Sequence, residues 1–129
     1  MDTVIKEYNP SSLISAYVEL FWFGQFNLNR TPLLSQRVIP NGYLELIIHL
    51  TDTHCELFQG RGYKSSPNYT LIGLFTQPYE VHFRAKVRVF GIRFKPEGIY
   101  HVLGLPASEI SSAFADMESL SDKKFHEYS

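Results

Sequence analysis

Phe75 to Gly104 reads FTQPYEVHFRAKVRVFGIRFKPEGIYHVLG, and its periodicity changes once, at Lys95-Pro96-Glu97-Gly98. Upstream, Tyr79, Val81 and Phe83 alternate with Glu80, His82 and Arg84, the pattern of a half-buried strand. Val87 to Phe94 follows as a second strand rich in Val, Ile and Phe. Downstream, Ile99, Val102 and Leu103 fall at i, i+3 and i+4, one apolar face of a helix. Pro96 suits the first turn of that helix, where its missing N–H costs nothing. A β unit therefore feeds directly into a C-terminal helical unit.

Working outward, Asn9-Pro10 reads as the cap and first residue of a short helix over Ser11 to Val18. Val18 to Phe26 reads as a strand, and Leu34 to Ile39 as a shorter one. Pro40-Asn41-Gly42 is a strong turn signal, because Asn and Gly accept positive φ. It leads into Tyr43 to Leu50, the clearest strand in the chain. There Leu44, Leu46, Ile48 and Leu50 share one face, and Tyr43, Glu45, Ile47 and His49 the other. Thr51 to His54 reads as a hairpin turn into Cys55 to Gln59, Gly60 to Asn68 as an exposed loop, and Tyr69 to Phe75 as a strand. Pro106 starts a second expected helix with Ile110, Ala113 and Phe114, and Asp116 to Ser129 a last short one. About seven short strands with closely spaced turns point to a single, mainly β domain with flanking helices: a barrel or jelly roll over roughly residues 17–94, then a helical unit over roughly 96–127.

The 129 residues suffice for one domain with a real core. Apolar residues at 44% and aromatics at 15% exclude a disordered chain. With 12 basic and 13 acidic residues the chain lacks the basic face of an autonomous DNA-binding domain. A single cysteine, Cys55, excludes an intrachain disulfide, which fits a reducing compartment. No apolar run approaches the length of a membrane span, so a cytoplasmic chain without membrane contact is expected.

Chemical motifs are sparse. No HxH, HExxH, CxxC, GxSxG, GxGxxG or P-loop occurs, so no enzyme activity, cofactor or metal is expected. Glu45 and His49 share a strand face, and His82 on another strand is placed to join them, leaving a three-residue metal site as an alternative. Arg93 lies between Ile92 and Phe94 in an apolar strand, where an arginine requires a partner if buried. Glu45 is the natural one. Three readings stand side by side: an internal ion pair that sets strand register, an anion-binding arginine in a ligand cavity, and plain surface exposure. Trp22, with Phe21, Phe23 and Phe26, reads either as core or as pocket lining. The ligand-binding candidates are thus Trp22, Glu45, His49, His82 and Arg93.

Several motifs in order carry a resemblance: Tyr8-Asn9-Pro10 with Leu13 and Tyr17-Val18; Phe21-Trp22; Val38-Ile39-Pro40-Asn41-Gly42-Tyr43-Leu44-Glu45-Leu46-Ile47; Leu71-Ile72-Gly73; Gly91-Ile92-Arg93-Phe94-Lys95-Pro96-Glu97-Gly98; and Leu103-Gly104-Leu105-Pro106-Ala107-Ser108-Glu109-Ile110. Over essentially its whole length the chain resembles the N-terminal domain of a subgroup of AraC-type transcriptional regulators. The resemblance implies a cupin-like β-barrel that binds a small-molecule effector, forms a homodimer through the C-terminal helices, or both. It implies contact with DNA only through a helix-turn-helix region absent from this chain. A stand-alone cupin-like protein, acting as a metal-dependent enzyme or as a protein-interaction module, is the rival expectation.

Overall fold

The structure, a computed structural model, describes residues 3–28, 30–59, 61–73, 77–104 and 114–116. They form ten strands and one helix: β1 (Thr3–Tyr8), β2 (Val18–Phe26), β3 (Leu34–Val38), β4 (Leu44–His49), β5 (Glu56–Gln59), β6 (Gly62–Ser65), β7 (Tyr69–Ile72), β8 (Tyr79–Phe83), β9 (Val87–Phe94), α1 (Pro96–Leu103) and β10 (Phe114–Asp116).

The strands build two open antiparallel sheets rather than the expected closed barrel or jelly roll. The larger has the order β1-β2-β9-β4-β7-β10 and the smaller β3-β8-β5-β6. From β2 to β9 the chain switches sheet at nearly every connection, so strands adjacent in sequence meet face to face instead of pairing. Thr51 to His54 accordingly carries the chain from β4 in one sheet to β5 in the other, and is not the hairpin turn expected there. Residues 62–65, expected to lie in a loop, form β6 and pair with β5. β1 completes one edge of the large sheet by pairing with Phe21 to Phe26 of β2.

Alternation decides what each face buries. On the large sheet Phe26, Ile47, Ile72, Val87 and Val89 face the small sheet and meet Leu57, Val81 and Phe83. Phe26 and Phe83 stack across this interface with centroids 4.2 Å apart. The opposite face of the large sheet carries a second core of Val18, Leu44, Leu46, Leu71 and Phe94, covered by Ile99 of α1. β4 is apolar on both faces because both are used.

The expected C-terminal helical unit is not present among the described residues. α1 is the one helix there, and Phe114, expected in a second helix, lies in β10 opposite Ile72 of β7. A run of three apolar residues at i, i+3 and i+4 is too short to outweigh ladder pairing at the open edge of β7. The rest of both expected helices, residues 106–113 and 117–129, lies outside the described residues. Ser11 to Tyr17 forms turns closed by Ser15 N–H to Ser11 O and Val18 N–H to Ile14 O instead of a helix. β2 takes over at Val18, before a third turn is possible.

The Lys95-Pro96-Glu97-Gly98 junction locks these pieces together. Lys95 caps α1, its N–H donates to Tyr17 O at 3.0 Å, and its Nζ donates to Ser15 O at 2.8 Å. α1 ends on Gly104 in the left-handed conformation at φ 69°. Among the described residues no helix is long and apolar enough to cross a membrane.

Candidate functional site

A cavity of about 310 Å³ lies between the sheets, a volume suited to a small organic molecule. Register places its parts. Trp22 on β2 is opposite Gly91 on β9, Arg93 on β9 is opposite Glu45 on β4, and Ile47 is opposite Gly91. These residues point to the small sheet because each is two or four residues from an inward-facing neighbour on its own strand. The small sheet closes the space with Tyr79, Val81 and Phe83, the inward-alternating residues of β8.

The cavity is graded along its length. Exposed Glu7, Arg37, Ile39 and Asn41 form its rim. Next come Glu45, Arg93 and Trp22. Arg93 Nε donates to Glu45 Oε1 at 2.7 Å, and the side chains are 25% and 12% exposed. Deeper, the walls are apolar: Phe26, Ile47, Leu57, Val81, Phe83 and Val89. The floor is polar again, with buried Cys55, Ser66 and Thr70.

Trp22 owes its position to Gly91. Its indole lies flat on that glycine, and a Cβ there would collide with Cε2 and Nε1 of the ring. The Nε1–H is buried and has no hydrogen-bond partner among the described residues, a costly state for an indole donor. Gly91→Ala is expected to push the indole off the strand. Since Trp22 is the chain's single tryptophan, a shifted and quenched intrinsic emission spectrum reports this directly. An unchanged spectrum would contradict the placement.

Behind the floor His49 organises a neutral hydrogen-bond cluster. Its Nδ1–H donates to Asn68 O at 3.3 Å, which leaves Nε2 to accept from Cys55 N–H at 3.4 Å and from Ser66 Oγ–H at 3.3 Å. Ser66 Oγ also lies 3.2 Å from Thr70 Oγ1, and the His54 ring stacks on His49 with centroids 4.3 Å apart. Burial, then the neighbouring His54, lowers the His49 pKa from 6.5 to about 4. Burial pushes the Cys55 thiol up to about 11. A neutral imidazole beside a protonated thiol is no activated nucleophile. The cluster instead has a pH signature. The unfolded chain protonates His49 near 6.5 and the folded one only near 4, so this contribution to stability is complete above pH 6.5 and is lost as pH falls toward 4. Urea midpoints measured across that window should fall with pH, and His49→Gln should flatten the slope.

The structure thus gathers three of the five candidates, Trp22, Glu45 and Arg93, around one cavity, with His49 just behind its floor. His82 is elsewhere. It alternates with Val81 and Phe83 and so faces outward from the small sheet, where it stacks on Tyr63 at 3.7 Å and lies 3.7 Å from Glu80 Oε2. Glu45, His49 and His82 therefore do not converge, and among the described residues no cluster of three His, Cys, Asp or Glu side chains is placed to hold a metal. Cys55, Ser66 and Thr70 were not among the candidates, because Ser66 fell in an expected loop. The alternation of β8 already pointed Tyr79, Val81 and Phe83 inward. Burial, then the charge of Glu45, raises the pKa of Tyr79, so its hydroxyl stays protonated beside the cavity.

Residues 6–116 match a family described as a domain of unknown function (DUF6597), and the chain belongs to that family. No curated protein and no solved structure matches it.

Proposed function

We propose that this chain is the effector-binding and dimerisation domain of an AraC-type transcriptional regulator, non-enzymatic, and controlling a separate DNA-binding region. The observation that carries the reading is the graded cavity between the sheets, with an ion pair near its rim and an apolar interior. A concave, mostly apolar space with a few convergent polar groups suits a small organic ligand. The site also has a short route to the outer face of the large sheet. Arg93 precedes Phe94, buried under α1, and Lys95, which ties α1 to the Ser11–Tyr17 turns. A ligand that pulls on Arg93 acts two residues from that junction. A ligand binding one arrangement of α1 better than another shifts the population of dimers competent to engage DNA, by no more than its differential affinity for the two.

A thermal-shift panel of sugars, organic acids, amines and amino acids, followed by sedimentation with and without the best binder, tests this. The expected result is a dose-dependent rise in Tm from one chemical class and a ligand-dependent monomer–dimer equilibrium. A chain that responds to no class and stays monomeric at high concentration would overturn both halves of the reading.

A further inference from the structure

We propose that the ligand of this cavity is a small organic carboxylic acid with an apolar body, its carboxylate held by the Arg93 guanidinium. The inference rests on the effector-binding reading and specifies its chemistry.

Hydrogen-bond bookkeeping near the rim leads there. Among the described residues, Arg93 has one hydrogen-bonded partner, Glu45 Oε1, and reaches it through Nε. The two Nη groups, the fork that matches a carboxylate, have no partner there. Tyr43 lies beside the guanidinium at 5.9 Å, an aromatic contact that uses none of its N–H groups. The Trp22 indole lines the same cavity, with its Nε1–H buried against Gly91. Across the sheet Trp22 is opposite Gly91, two residues from Arg93 on β9, so the indole stands one side-chain row from the guanidinium, beside Ile47. A ligand group meeting the fork must accept hydrogen bonds, and a planar two-oxygen acceptor uses it fully.

The rest of the cavity sets the body. Below the guanidinium Ile47, Leu57, Val81 and Phe83 offer no hydrogen bonds, so a sugar or a phosphorylated metabolite would leave its own polar groups unsatisfied. An alkyl or aryl chain fits. Glu45 neutralises Arg93 in the empty site and holds it in place, which costs some affinity for an anion. That cost distinguishes this role from a purely structural ion pair. Neutralising Glu45 should strengthen acid binding, whereas a pair that only sets strand register has no influence on ligand affinity.

Titration of Trp22 fluorescence with 3-phenylpropionate and octanoate, against 3-phenylpropionamide and 3-phenylpropylamine, reads the head group. The acids are expected to saturate the signal, with the amide about tenfold weaker or worse because it offers the fork no charge. Glu45→Gln should tighten the acids about threefold or more by removing the competing carboxylate. The double variant Glu45→Gln with Arg93→Met, which leaves no unpaired charge, should keep the fold and lose the preference for acid over amide. Equal binding of acid and amide, preference for the amine, or unchanged acid affinity in Glu45→Gln would overturn the proposal. If the acids fail while a neutral or cationic compound of the wider panel binds, the carboxylate falls and effector binding stands. If nothing binds, both fall together.

Discussion

Gly98→Ala is expected to destabilise the folded chain by about 3 kcal/mol, a large loss for one methyl group. Intrinsic helix propensity predicts the opposite sign, since alanine exceeds glycine by about 1 kcal/mol within a helix. The difference is contact. A Cβ on Gly98 would collide with the carbonyl, C and Cα of Tyr17. These are backbone atoms, and no rotamer change moves them aside. The same carbonyl accepts the Lys95 N–H that starts α1. To accommodate the methyl group, α1 has to lift from the Ser11–Tyr17 turns, which uncovers Ile99 and Phe94, now 0% and 1% exposed. Urea unfolding of the two proteins decides the matter. A neutral or stabilising substitution would contradict the close approach of α1 to Tyr17.

Arg93→Met is the second large effect. It leaves the Glu45 carboxylate, 12% exposed, without its cation at the centre of the large sheet. Removing one partner of a buried pair costs more than the pair contributes, because the remaining charge stays desolvated. The cavity's open rim lets some water reach Glu45, so a loss of about 2 kcal/mol is expected, below the range for fully buried pairs. Adding Glu45→Gln to the same chain should recover most of it. A double-mutant cycle from chemical denaturation measures the coupling. Additive effects of the two substitutions would show that the 2.7 Å contact carries no net interaction.

Much of the frame was legible along the chain. β2, β8, β9 and α1 begin where the alternation and the Lys95-Pro96 junction put them, and the Asn41-Gly42 turn has Gly42 at φ 79° with Asn41 Oδ1 accepting from Tyr43 N–H. An arginine embedded in an apolar strand pointed to Glu45, and the register places the two opposite each other. What the chain hid follows from how alternation works. β1 and β6 are edge strands with mostly exposed side chains, so burial imposes no two-residue pattern on them. Alternation also says which residues share a face but not which sheet a strand joins. Thr51 to His54 therefore looked like a hairpin, and two open sheets looked like one closed barrel. The same gap separated His49 from Cys55 and Ser66, which it meets across the β4–β5 crossing between sheets, while Thr70 joins them through the β4–β7 pairing. His82 differs: its outward face follows from the inward Val81 and Phe83 beside it, so residue type alone does not bring it to Glu45 and His49.

The most direct test of the ligand-cavity account is calorimetric titration of the best-binding compound into the native chain and into Ile47→Phe, which adds volume to the apolar wall of the cavity. The account predicts a folded variant with a Tm within a few degrees of the native chain and no measurable heat of binding. Undiminished affinity in the filled variant would contradict it, because the ligand would then be binding somewhere other than between the two sheets.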